Sequence, residues 1–148
     1  MATWGEFEEA EPEFAARLKK LMTTRKHLTM ATLRRDGSPR ISGTEVQFSK
    51  GQLQIGSMPR AVKAMDLLRD PRVAIHGPTH DPTQAGRWRG EAKIAGRAIA
   101  TPSKGAGHFF RIDIGEAVIT RLNSTRNGLV IESWEPGRGY RELNRLDE

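Results

Sequence analysis

The chain alternates between short runs of apolar and polar residues, broken often by Gly, Pro and Asp-Gly or Lys-Gly pairs. Helical spacing appears in two places. Phe14, Leu18, Leu21 and Met22 recur at i, i+4, i+7 and i+8, which predicts an amphipathic helix over Pro12–Arg25. Ala61, Val62, Met65 and Leu68 form a second stripe, on a helix that Asp70-Pro71 ends. Elsewhere the period is that of strands. Strands are expected at His27–Arg34, Pro39–Ser49, Gln52–Gly56, Arg72–His76, Glu91–Thr101, His108–Ile114, Ala117–Leu122 and Leu129–Trp134. Asp36-Gly37 and Lys50-Gly51 are turn signals, so the first three strands read as a meander. Gly77–Gly86 reads as a loop, and Gly96 marks a bend or a close backbone approach. Many short strands with few helices predict a mainly β (α+β) domain with a closed barrel-like sheet. One domain spans residues 1–148, with a flexible N-terminus at 1–10 and a charged tail at 139–148.

Composition narrows the function classes. A 148-residue chain can bury a real core. With 36% hydrophobic and 28% charged residues it reads as a soluble globular domain. It lacks an apolar run long enough to span a bilayer, and its acidic start does not resemble a signal peptide, so a cytoplasmic location and no membrane are expected. There is no cysteine, which excludes disulfides and thiolate metal sites. The four histidines lack metal-ligand spacing, so no metal is expected. G-x-G-x-x-G, P-loop and G-x-S-x-G patterns are absent. The net charge of +6 fits nucleic acid, a phosphorylated cofactor or solubility alone. The basic residues are scattered and exposed aromatics are few, so a small anionic molecule is preferred to nucleic acid.

The second helix offers a candidate anion seat. Pro59 suits its first turn, and Arg60 and Lys63, three apart, share a side near open backbone N–H groups. A surface helix with solvated charges would have the same sequence.

The order of these parts resembles the pyridoxamine 5′-phosphate oxidase-like family of split β-barrel flavin- and deazaflavin-binding proteins. The resemblance covers about Arg25 to Arg138. It rests on Met30-Ala-Thr-Leu-Arg-Arg-Asp-Gly-Ser-Pro-Arg-Ile-Ser, on Lys63-Ala-Met-Asp-Leu-Leu-Arg-Asp-Pro-Arg-Val-Ala-Ile and on Trp88-Arg-Gly-Glu-Ala-Lys-Ile-Ala-Gly-Arg-Ala. Phe110-Arg-Ile-Asp and Ile131-Glu-Ser-Trp-Glu-Pro-Gly-Arg-Gly resemble short members common in actinobacteria.

The resemblance implies an FMN-binding-like split barrel with two or three peripheral helices, working as a homodimer. It implies FMN or the deazaflavin coenzyme F420 at the subunit interface. Lys63 and Arg60 would hold the phosphate. Arg40, Ser42, Gly43 and Thr44 would line the ring, with Ser57 and Met58 in the same groove. Trp88 or Trp134 of a second subunit would close it. Arg34, Arg35, Arg69 and Lys50 would meet the acidic tail of the deazaflavin. The implied activity is hydride transfer to or from a small organic substrate. A non-catalytic flavin carrier of the same fold and a basic nucleic-acid-binding barrel stay open beside it. The short Thr101–Gly107 connection and the brief C-terminal region depart from the vitamin-oxidising members and argue against pyridoxamine oxidation.

Overall fold

Two helices precede the first strand. Thr3 and Glu6 form a reciprocal capping box that starts α1, Trp4–Ala10, and Pro12 opens α2, Pro12–Met22. Residues 1–10 are therefore not the flexible end their charge suggests. Trp4 and Phe7 are buried, and Ala2 bridges the backbone of Ile114. The computed structural model describes residues 1–103 and 105–146.

The strands are β1 (Leu28–Leu33), β2 (Pro39–Thr44), β3 (Gln47–Ser49) and β4 (Gln52–Ser57). Helix α3 (Val62–Arg69) comes next, then β5 (Arg72–His76), β6 (Glu91–Thr101), β7 (His108–Leu122), β8 (Gly128–Glu135) and β9 (Gly139–Leu146). All pairings are antiparallel, along the path β2-β1-β5-β6-β7-β4-β3, with β8 added to β7 and β9 to β8. Among the described residues the fold is mainly β with three helices; the patterning implies the β content, α2 and α3, but not α1.

The expected closed sheet and three-strand meander do not form. Pro39–Ser49 divides at Glu45-Val46. Its first half pairs only with β1, while β3 and β4 make a hairpin at the far end of the path. β2 and β4 approach without a ladder between them, and this is the split in the barrel. A strand that reverses partners needs a break in its hydrogen bonding, and alternation alone does not reveal it. Conversely, the predicted break at Gly115 is absent. β7 runs through it, pairing β4 with its first half and β8 with its second.

Gly96 sits at a bulge between β6 and β7, where a Cβ would fall 1.8 Å from the Asp113 carbonyl oxygen. The predicted tail from residue 139 is strand β9 as far as Leu146; residues 147 and 148 lie outside the described residues.

The core lies inside the barrel and beneath α1 and α2. Phe14, Leu18 and Met22 are buried as the helical stripe predicts, although Leu21 is only partly covered. Met30, Leu53, Ile75, Ile94, Ile112 and Ile114 fill the barrel. Trp134 is in this core and not at a ligand site: it is 6% exposed, with its ring centroid 4.7 Å from that of Phe7.

The apolar stripe of α3 does the opposite of what its spacing suggests. Ala64 and Leu67 are buried, whereas Val62, Met65 and Leu68 face outward. Ile41 of β2 and Met58 are also outward, 74% and 79% exposed.

Candidate cofactor groove

Helix α3 packs on β1, and its first turn reaches Gly43 of β2 beside the split. A groove of about 470 Å³ opens there, lined by Gly43 and Thr44, by Ser57 and Met58, by Lys63 and by Phe109. His27, Glu45 and Gly56 complete its wall.

Lys63 stands in the first turn of α3, and its Nζ donates to the Gly43 carbonyl at 2.6 Å. Among the described residues it has no carboxylate partner, so its charge is available to a ligand. No side chain caps α3, and although the Ala64 amide donates to the Ala61 carbonyl at 3.0 Å, the Val62 and Lys63 N–H groups are left open beside that ammonium.

Gly43 has open space where a Cβ would project, so a planar group can approach the β2 backbone there. Opposite, a Cβ on Gly56 would lie 3.0 Å from the Phe109 ring. That glycine lets Phe109 fold against β4 and present its face to the groove. Phe109 is 46% exposed, not buried as a strand aromatic would suggest.

Five of the nine predicted site residues thus share one groove: Gly43, Thr44, Ser57, Met58 and Lys63. Arg60 borders it but is not on the helix. It occupies the turn before α3 with φ 60°, and its amide donates to His108 Nε2 at 3.3 Å. The strand therefore does not run directly into the helix; a turn from Met58 to Ala61 intervenes.

Ser42 lies farther along β2, outside the groove lining. Trp88 lines a separate cavity, where its Nε1 donates to the His80 carbonyl at 2.8 Å.

Arg40 is engaged with a residue that the sequence reading passed over. Asp66 of α3 is buried, and it accepts from Arg40 Nε at 2.7 Å, Thr32 Oγ1 at 2.8 Å and Arg69 Nη2 at 3.2 Å. Burial alone would raise the Asp66 pKa; the bonds from Arg40, Thr32 and Arg69 outweigh it and hold the carboxyl below its ordinary value. Arg40 thus ties β2 to α3, the two elements that hold Gly43 and Lys63. Arg69 also donates to the Leu33 carbonyl, so it is not a free cation for an acidic tail.

His27 and Glu45 were also missed. Glu45 lies 3.8 Å from His27 Nδ1 and 3.7 Å from Lys26 Nζ, which gives the groove mouth a polar rim. Phe109 had one readable signal. It precedes inward-facing Phe110 in a strand of period two, so one of the pair had to face out.

No protein-family profile and no curated protein sequence matches this chain. Solved structures do match in fold. A pyridoxamine 5′-phosphate oxidase-related, FMN-binding protein from Nostoc punctiforme PCC 73102 superposes with a TM-score of 0.65, at 11% identity over 93% of this chain and 96% of that one. PhzG from Burkholderia lata 383, in complex with tetrahydrophenazine-1-carboxylic acid, gives 0.62, at 12% identity over 89% and 85%. HutZ, the heme storage protein from Vibrio cholerae, gives 0.55, at 17% identity over 71% and 89%. The chain therefore has the split-barrel fold of pyridoxamine 5′-phosphate oxidase-like proteins. At these identities the likeness defines the fold, and the chemistry must come from the groove.

Proposed function

We propose that this groove binds FMN or the deazaflavin coenzyme F420, and that the chain is a flavin- or deazaflavin-dependent oxidoreductase of the split-barrel class. The observation that carries this reading is Lys63. It is a cation without an ion-pair partner at an uncapped helix start, facing a strand whose glycine admits a flat ring.

The phosphate would sit at Lys63 and the first-turn N–H groups of α3. The ring would lie along Gly43 and Thr44, with Phe109 and Met58 as apolar walls. The bound group supplies hydride chemistry. The chain's residues anchor the phosphate, fix the ring against the β2 backbone and cover part of it from water. A carrier that holds the same group without turnover is the second reading; it is favoured by a heme storage protein on the same fold.

The outward apolar residues give the reading a further part. The Arg40–Asp66 and Lys63–Gly43 bonds hold β2 beside α3. Met58, Val62, Met65 and Leu68 therefore present an outward apolar surface on α3 and the turn leading into it, next to the groove, while Ile41 projects from the opposite face of β2. We assign this face to a second copy of the chain, which would cover the groove's open side.

The test is a fluorescence titration with FMN and, separately, with the deazaflavin, alongside sedimentation of the wild type and a Val62→Asp/Leu68→Asp variant. Micromolar or tighter binding of one cofactor and a dimer lost in the variant support the reading. Binding of neither cofactor overturns it, and a monomeric wild type overturns the pairing. If a bound cofactor's reduced form then reduces no acceptor, the carrier reading replaces the enzyme.

A further inference from the structure

A second cavity, of about 540 Å³, shares no residue with the groove. It lies under the loop between β5 and β6, and Arg25, His80, Thr83, Arg87, Trp88 and Arg89 line it. Its volume is that of a small-molecule site.

The loop is held in place by hydrogen bonds. Thr83 N donates to the Arg87 carbonyl at 2.7 Å, Gly86 N to the Thr83 carbonyl at 2.9 Å, and Arg126 Nη1 to the Ala85 carbonyl at 2.9 Å. His80 Nε2 lies 2.9 Å from Thr24 Oγ1, and the Trp88 indole is fixed on the His80 carbonyl. Trp88 is half-buried and oriented, not loose on the surface.

The charges are uncompensated. Among the described residues none of Arg25, Arg87 and Arg89 has a carboxylate within ion-pair distance. Asp81 is the one acid on the lining, so three guanidinium groups face a single carboxylate. Burial holds the His80 pKa below the ordinary histidine value, and Arg89 and Arg25 add to the shift. Arg89 also reaches an adjoining cavity, where Lys20 adds a cation without an ion-pair partner beside Leu21 and Ile119. Surface arginines with solvated heads would give the same composition. They would not give an oriented indole and a stapled loop around one concavity.

We infer that the Arg25–Arg87–Arg89 cavity is a second ligand site, for a phosphate ester carrying a planar ring: guanidinium forks take the phosphate and Trp88 stacks on the ring. The site stands on its own residues and does not depend on what the groove holds.

Trp88 reports on it selectively, because Trp4 and Trp134 are buried in the core. Wild-type protein, with and without saturating FMN, is titrated with AMP and with pyrophosphate while tryptophan emission is followed. Saturable quenching by AMP below about 1 mM is expected, with pyrophosphate weaker by roughly ten-fold for want of stacking. Arg25→Gln/Arg89→Gln should weaken AMP by about ten-fold or more, and Lys63→Ala should leave it unchanged. The paired variant changes exposed residues without ion-pair partners, and its thermal unfolding should match the wild type. Calorimetry on Trp88→Phe, which keeps a flat ring, should retain AMP binding while the emission change disappears.

Absence of saturable AMP binding overturns the site. So does binding that survives Arg25→Gln/Arg89→Gln, or that is lost in Lys63→Ala or under FMN. A single-stranded oligonucleotide that binds where AMP does not would overturn it in favour of a polymeric partner. Failure of the flavin titration alone leaves these outcomes readable.

Discussion

Replacing Asp66 with Asn is the sharpest test of how the groove is built. The substitution keeps the shape and removes the charge. Asp66 Oδ2 accepts from both Arg40 and Thr32, and Oδ1 from Arg69. An Asn carbonyl at the Oδ2 position keeps the first two bonds, but as bonds to a neutral acceptor. Its amide then faces the Arg69 guanidinium, donor against donor. Charged hydrogen bonds contribute about 1.5–3 kcal/mol and neutral ones about 0.5–1.5, so each arginine bond loses about 1 kcal/mol. Arg69 is partly exposed and can turn to water, which limits its share, whereas Arg40 is 25% exposed and more tightly held. The expected loss is about 1–2 kcal/mol, or a fall in Tm of roughly 3–8 °C for a chain of this length. Thermal and urea unfolding followed by circular dichroism measure it. A double-mutant cycle with Arg40→Gln should return a coupling of about 1 kcal/mol or more. A Tm within about 2 °C of wild type, or a coupling near zero, would refute the claim that this cluster ties β2 to α3.

Other expectations are as specific. Lys63→Ala should leave the fold intact, since the side chain is only half-buried and its present bond is to one carbonyl. FMN should bind about ten- to thirty-fold more weakly in that variant, near the lower end for a charged hydrogen bond. Unchanged affinity in the titration would move the phosphate elsewhere. Acid should destabilise the protein through Glu132, whose carboxyl is buried against Arg17, Arg121 and Tyr140. Burial opposes its ionisation, but the hydrogen bonds from those three residues outweigh it and lower the pKa from 4.5 to about 2. A depressed folded-state pKa means stability that is present above the unfolded value and lost as pH falls from about 4.5 towards 2, roughly 3 kcal/mol in all. Glu132→Gln should flatten that part of the stability-against-pH curve, and an unchanged slope would show that Glu132 is not its source.

Much of the architecture was legible because it depends on local patterning. Period-two runs located most strands, Pro71 ended α3, and the Gly96 bulge was marked by a glycine inside a strand. What could not be read depends on where distant segments meet. Glu45-Val46 continues an alternating run, and only the three-dimensional path shows that β2 and β3 belong to opposite ends of the sheet. In α3 the stripe Val62, Met65 and Leu68 has the spacing of a core face, yet Ala64, Asp66 and Leu67 are the buried ones. A buried aspartate is invisible to hydrophobic periodicity. It becomes reasonable only once Arg40, Thr32 and Arg69 are seen to converge on it. Within the site, residues grouped by short sequence segments stayed together, such as Gly43 with Thr44 and Ser57 with Met58. Arg40, placed there by the resemblance, is instead held on Asp66 of another element.

The two buried carboxylates also decide which cations are left for ligands. A net charge of +6 spread over the sequence says nothing about where an anion would bind. Asp66 engages Arg40 and Arg69, and Glu132 engages Arg17 and Arg121. These four arginines are structural, and their charge is largely cancelled where it sits. Lys63 remains beside the split, and Arg25, Arg87 and Arg89 remain beside Trp88. Among the described cations left without an ion-pair partner, these four line two concave places with different chemistry. One pairs a single ammonium and a helix start with a glycine-lined strand, which suits one phosphate and a long ring system. The other sets three guanidinium groups around an indole, which suits a phosphate ester on a smaller ring. Removing either carboxylate should do more than weaken the fold. It should release arginines that compete for the same anions, so anion binding to Asp66→Asn or Glu132→Gln should become less selective even where the folded population is unchanged.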